Sequence, residues 1–157
     1  MKTTEIEFAQ VKNIFSMTCR VEVKIHTNPE VIWALLNDAK GFSRWNSTVT
    51  GIDGEIREGE KIRIHVPGTD RTFTPKVSGV VANRRMTWSD GVVPIFRGSR
   101  NFELRPRDGG STDFIMEERF DGLVFAMIKN KLPDFRPIFK SYAMDLKREA
   151  ERISSID

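Results

Sequence analysis

Two charged residues carry the strongest hint of chemistry in this chain. Along residues 96–104, Phe102 and Leu104 set an inward parity, and Arg100 shares it. Along residues 112–120, Phe114, Met116 and Phe120 set the inward parity, and Glu118 shares it. A turn at 107–111 that places Leu104 opposite Phe114 also sets Phe102 against Met116 and Arg100 against Glu118. An inward charge without a partner is costly, so each is expected to neutralise the other. Together they would act as a polar anchor in apolar surroundings, holding a ligand carboxylate, hydroxyl or carbonyl. The plainer alternative is a structural ion pair, and a register slip of one residue would turn both charges outward.

Aromatic side chains supply the other candidates. Trp88 has the parity of Met86 and is read as inward, while Trp45 follows a short helix and is placed at a pocket rim. For Trp33, as for the other two, plain core packing is the first reading. An indole joins an apolar body to one donor, which suits a pocket wall or a core. Tyr142 lies on an apolar helical stripe with Phe135 and Phe139, and its hydroxyl needs a partner if buried. His26 and His65 fall on wet parities, and neither supports nucleophilic catalysis. Cys19 has inward parity and reads as a small buried hydrophobe. Asp53, Glu55 and Glu58 read as a solvated rim. One cysteine and two histidines argue against a metal site. With no glycine-rich phosphate loop, zinc spacing or dinucleotide fingerprint, no metal and no cofactor are expected.

These groups need elements to position them. Residues 133–153 predict a long amphipathic helix, with Phe135, Ile138, Phe139, Tyr142, Leu146, Ala150 and Ile153 as its apolar stripe. Its other face carries Lys140, Asp145, Lys147, Arg148, Glu149, Glu151 and Arg152, which read as solvent-facing. Pro133 suits the first turn. Such a helix, roughly 30 Å long, needs a partner surface. From Ile14 to His26 strict alternation predicts a strand, with Phe15, Met17, Cys19, Val21, Val23 and Ile25 inward. Asn28 and Pro29 are the expected cap and first residue of a short helix, and a second lies around residues 42–45. Strands are expected at 49–56, 61–66, 71–81, 86–92, 96–106 and 112–120, joined by turns too short for crossovers, hence antiparallel. The apolar run Leu123-Val124-Phe125-Ala126-Met127-Ile128 reads as a lid, as a plain connection, or, if exposed, as a homodimer surface.

The 157 residues predict a single domain spanning 1–157, with 1–12 a frayed lead-in or an extra first-strand segment. The composition is 39% hydrophobic and 30% charged, that of an ordinary soluble protein. No apolar run approaches the ~20 residues of a membrane span and no signal-peptide plan is visible, so no membrane span and a cytoplasmic location are expected. The net charge of +3 is mild. The arginines of 97–107 come without an aromatic-plus-basic motif, which argues against nucleic acid as a partner.

The order of elements and several local motifs resemble the START-like, or SRPBCC, superfamily, which includes polyketide cyclases and Bet v 1-type proteins. The residues carrying the likeness are Asn28-Pro29-Glu30-Val31-Ile32-Trp33-Ala34-Leu35-Leu36-Asn37-Asp38 and Phe42-Ser43-Arg44-Trp45-Asn46. Gly54-Glu55-Ile56-Arg57-Glu58-Gly59-Glu60, Asn83-Arg84-Arg85-Met86-Thr87-Trp88, Phe102-Glu103-Leu104 and Glu117-Glu118-Arg119-Phe120-Asp121-Gly122 add to it. The resemblance implies an α+β helix-grip fold, a curved antiparallel sheet of about seven strands wrapped round the C-terminal helix with a pocket between them. It implies a small hydrophobic partner and transfers no catalytic residue. The expected ligand-binding residues are Arg100, Glu118, Tyr142, Trp88, Trp45, Phe102, Met116, Phe135 and Phe139. A carrier or sensor is the leading expectation. A cyclase or aromatase-like enzyme and an interaction domain with a filled core are the alternatives.

Overall fold

Strand alternation dominates the architecture. In the computed structural model, which describes residues 5–68, 70 and 72–155, nine strands and four α-helices follow one another. β1 (Ile6–Lys12) and β2 (Ser16–Ile25) form a hairpin. Two short helices follow, α1 (Pro29–Asn37) and α2 (Phe42–Trp45). The strands β3 (Gly51–Asp53), β4 (Arg63–His65) and β5 (Thr72–Phe73) make a small three-stranded sheet. β6 (Lys76–Val81), β7 (Arg85–Val92), β8 (Phe96–Pro106) and β9 (Thr112–Asp121) then run as an antiparallel meander. The large sheet has six strands in the order β1-β2-β9-β8-β7-β6, so β2 closes against the last strand. Helix α3 (Leu123–Ile128) and a 3₁₀ turn (Lys129–Lys131) lead to the long helix α4 (Arg136–Ser154).

The inward faces follow from the alternation. Met17, Cys19, Val21, Val23 and Ile25 of β2 are buried, as are Phe102 and Leu104 of β8 and Phe114 and Met116 of β9. Against them lie Phe139, Tyr142, Ala143, Leu146 and Ala150 of α4, at three- and four-residue spacings. This is the helix-grip arrangement that the sequence implied. Asn28 caps α1 through its side chain, which accepts from Val31 N at 3.1 Å, with Pro29 in the first turn.

Several boundaries differ from expectation, each for a physical reason. The helix expected from 133 begins at Arg136, because Pro137 belongs in a first turn and would break a ladder begun at 133. Asp134 then stands outside the helix, its carboxylate accepting from Arg136 N at 3.0 Å. Ile138, placed on the stripe, is exposed. Phe15, placed inward, lies in the β1–β2 turn and is exposed too. Residues 6–12 are a paired strand, not a frayed lead-in, and 1–4 lie outside the described residues. The stretch 71–81 splits at Pro75, which has no donor to offer a ladder, and Arg71 itself lies outside the described residues. The strands at 49–56 and 61–66 shrink to three residues each in the separate small sheet. The expected sheet of about seven strands is therefore six plus three.

The polar face of α4 is also busier than expected. Lys147 and Glu149 are 8% and 9% exposed, not solvent-facing. Lys147 Nζ donates to the carbonyl of Lys24 at 2.8 Å and to Glu151 at 2.7 Å. Glu149 accepts from Arg44 of α2 and from Arg152. Asp145 accepts from the backbone N and hydroxyl of Ser47 at 2.8 and 2.7 Å. Helical spacing marks such residues as polar, but it cannot show that α1, α2 and β2 rise to meet them.

Candidate functional site

The groups of interest lie in one cross-strand row of the large sheet. Gln10 pairs with Cys19, Cys19 with Glu118, Glu118 with Arg100, and Arg100 with Trp88. The adjoining row is apolar throughout: Phe8, Val21, Met116, Phe102 and Met86. A polar row therefore runs directly beside an apolar one on the inward face. Within it Arg100 donates from Nε at 3.1 Å and from Nη2 at 2.5 Å to the same oxygen of Glu118, Oε2. The two side chains are 20% and 17% exposed, so the pair is half-buried at the sheet surface. The hairpin register expected from parity is the one observed, with Leu104 opposite Phe114 and Phe102 opposite Met116.

Helix α4 covers this pair with two rings. The Arg100 guanidinium carbon lies 5.5 Å from the ring centre of Phe139 and 5.6 Å from that of Tyr142. A cation over two aromatic faces is attracted by the negative centre of each ring. Burial works against the Arg100 charge, but Glu118 and Tyr142 outweigh it and hold its pKa above the ordinary value. Guanidinium has five N–H donors, and two of them serve Glu118. The arrangement keeps a cation with donors in hand against an aromatic wall.

Around Tyr142 the rings close into a cluster. Phe42 and Trp45 of α2 lie 6.1 and 6.2 Å from it, Phe102 lies at 6.2 Å and Phe114 at 6.3 Å. Trp88 packs on Phe102 at 4.7 Å, and Trp45 on Phe42 at the same distance. At these separations the rings pair, so aromatic side chains crowd the space between sheet and helix. The surface carries depressions beside the β1–β2 turn and between β1 and the start of α4.

The cluster nonetheless leaves polar demands unmet. Trp45 Nε1, Trp88 Nε1, Asn46 Nδ2 and the Tyr142 hydroxyl are buried with no hydrogen-bond partner among the described residues. Buried polar groups are nearly always paired, and each orphan costs on the order of 1–3 kcal/mol. Trp45, Trp88 and Tyr142 belong to the ring cluster, and Asn46 follows Trp45 in the chain. Burial pushes the Tyr142 phenol well above its ordinary range, with Arg100 pulling it back and Glu118 adding to the rise. Tyr142 is therefore a neutral donor and not a base. Cys19, next to Glu118 in the row, is raised by burial and by the Glu118 charge to about 11, which leaves it an unreactive thiol at neutral pH.

The residues expected at the site fall in two linked groups. Arg100, Glu118, Phe139 and Tyr142 form the ion pair and its cover. Trp45, Trp88 and Phe102 join Tyr142 in the ring cluster, and Met116 lies buried opposite Phe102. Phe135 sits further along, stacked on Phe120 at 5.4 Å and against Phe139 at 6.1 Å. Phe42, Asn46 and Phe114 belong to the same neighbourhood and were not expected there. Phe114 had a signal in its inward parity, whereas Phe42 and Asn46 sit in a segment too short to show a face. The arginines of 97–107 are largely spoken for: Arg105 bonds Glu103, and Arg107 bonds Asp113 at 2.6 Å.

A six-stranded sheet gripping a C-terminal helix, with two short helices after β2, defines the START-like class. The chain belongs to the family described as polyketide cyclase / dehydrase and lipid transport, whose model matches residues 16–151. Among solved structures it is similar to a START superfamily protein from Mycobacterium smegmatis, at 14% identity and a TM-score of 0.66 over 87% of this chain and 98% of that one. It is also similar to the Zhui aromatase/cyclase from Streptomyces sp. R1128, at 16% identity and a TM-score of 0.69 over 87% and 94%. A third is the di-domain ARO/CYC BexL, at 14% identity and a TM-score of 0.67, over 87% of this chain and 47% of that one. At such identities the likeness is one of fold. No curated protein matches the chain. Among the described residues no helix is long and apolar enough to cross a membrane.

Proposed function

We propose that the protein binds a small hydrophobic molecule, a lipid, polyketide or aromatic compound, between the sheet and α4 as a carrier or sensor. The observation that carries this reading is the group of orphan donors, the Trp45 and Trp88 indoles, the Asn46 amide and the Tyr142 hydroxyl. A ligand with an apolar body and two or three acceptor oxygens satisfies them at once. Affinity comes from apolar burial at ~25 cal/mol per Å², and orientation from these donors and the Arg100 N–H groups left over by Glu118. Because the rings pack closely, this reading has the α2 and α4 side chains part as the ligand enters, with Phe135 and Phe139 beside Arg100 as the residues it meets.

An enzymatic reading is weaker. Proton transfer would fall to Glu118 or Tyr142, and Glu118 is engaged by Arg100 while Tyr142 holds its proton tightly. The closed ring packing favours a different second reading, an interaction domain with a filled core. Titration decides between them. Emodin, a hydroxyanthraquinone, and oleate are added while tryptophan fluorescence is followed, and native mass spectrometry looks for a co-purified molecule. The expected result is saturable quenching by at least one probe. Arg100→Ala should weaken that binding about tenfold in calorimetry, more than it weakens folding. Equal affinity in variant and wild type removes Arg100 from the site. No co-purified mass and no response to either probe leaves the interaction domain.

A further inference from the structure

One end of the large sheet carries apolar side chains that nothing else in the described chain covers. Ser16, Asp121, Arg97 and Gly91 form the last full cross-strand row there, and three segments project beyond it. They are the β1–β2 turn, the β7–β8 turn and α3. Backbone hydrogen bonds stitch them together, from Gly122 N to Phe15 O at 2.9 Å, Leu123 N to Pro94 O at 3.0 Å and Val124 N to Ile95 O at 3.0 Å. On this stitched tip Ile14, Phe15, Val93, Ile95, Leu123 and Met127 are each more than half exposed, Met127 reaching 80%. Single exposed apolar residues are ordinary, whereas six from three converging segments form a patch.

Charge surrounds the tip. Lys12 and Lys129 line the same depression as Ile14 and Phe15, and Lys131 follows, exposed. None of the three has an acidic partner within ion-pair distance among the described residues. The nearby acids are occupied or offset. Asp121 is bonded by Arg119 at 2.9 Å, and Asp90 accepts from Gly91 N and lies one position from the Arg97 row.

We propose that this tip docks on the surface of an anionic lipid bilayer, with the apolar turns and α3 sunk among the headgroups and the lysines on lipid phosphates. A second protein surface fits less well, because the patch is made of projecting turns and one short helix rather than a flat, extended face. Aliphatic tips ringed by lysine match a negatively charged headgroup layer over an apolar interior. The docked orientation turns Phe120 and Phe135, where α4 begins, toward the bilayer. This inference stands apart from the ligand reading, since it uses none of the orphan donors.

The test is co-sedimentation of the full chain with vesicles of phosphatidylcholine containing about a third phosphatidylserine, and with pure phosphatidylcholine. Binding is expected to the anionic vesicles, falling as salt rises, with little to the neutral ones. The pair Val93→Glu and Met127→Glu should lower it at least about tenfold, and Lys12→Gln with Lys129→Gln severalfold. Ile95→Ser with Met127→Ser provides a milder variant should the glutamates disturb folding, checked by near-ultraviolet circular dichroism. Absence of binding to anionic vesicles overturns the proposal, as does a correctly folded glutamate pair that binds like wild type. A concentration-dependent dimer without vesicles, dissociated by those same glutamates, overturns it in favour of a second copy of the chain.

Discussion

Tyr142 sets function against stability at a single atom. Its hydroxyl is buried without a partner, so the free protein bears a desolvation cost for a group that satisfies nothing. Tyr142→Phe is expected to leave the free protein as stable or more stable, by up to about 2 kcal/mol in urea denaturation. The same variant should bind emodin or oleate about tenfold more weakly. A loss of stability beyond about 1 kcal/mol would mean that the hydroxyl has a partner in solution, a bound water for instance, and would weaken the ligand reading. At this scale the sequence was informative about charge and poor about satisfaction. Parity put Arg100 and Glu118 together because both lie in long strands whose alternation is unbroken. It said nothing of Asn46, because whether an amide is satisfied depends on neighbours far along the chain.

Among the elements, α3 and α4 depend on local details that a periodicity does not reveal. Gly122 has φ of 118°, and a Cβ there would stand 2.5 Å from the Ile95 carbonyl oxygen. Gly122→Ala should destabilise by 2 kcal/mol or more, on the order expected for strain in this region together with a backbone clash. It should also speed hydrogen exchange at Leu123 and Val124, whose N–H groups bond the β7–β8 turn. Unchanged exchange there would show that the stitching is not rigid.

Helix α4 is held on its polar side by Glu149, whose carboxyl is pulled down to about 2, chiefly by its bonds from Arg152 and then from Arg44, against burial. A folded pKa below the unfolded one adds stability that is fully present above about pH 4.5 and is lost as pH falls through about 2. Acid unfolding in that window should weaken by on the order of 2 kcal/mol in Glu149→Gln, with its pH slope flattened. An identical acid profile in variant and wild type would take Glu149 out of the anchoring of α4. The long strands and the helix stripe were legible because many turns repeat one pattern. The small sheet and the true start of α4 were not, since two- and three-residue strands have no period and one proline moves a helix start by three residues.

At the scale of the whole molecule, the large sheet is assembled from the two ends of the chain. One of its inner pairings is β2–β9, in which Ile25 meets Thr112, 87 residues later in the chain. The β6–β9 meander is local and the small sheet is tied to its first strand, with Ile62 N bonding Pro75 O and Val77 N bonding Glu60 O, so the fold divides into a part made of near neighbours and a seam made of distant ones. The polar row of the site crosses that seam between Cys19 and Glu118. Neither half alone holds the row, and a chain ending at Pro106 is expected to show no cooperative thermal transition. A cooperative melt of that fragment would mean that the N-terminal strands find another partner.

The seam also orders events during synthesis. On the ribosome, β2 emerges with its apolar edge bare and must wait until β9 has left the exit tunnel, at ~5–20 residues per second a delay of several seconds. During that interval the nascent chain presents Val21, Val23 and Ile25 to whatever surrounds it, which makes the growing polypeptide, more than the finished one, a client for chaperones.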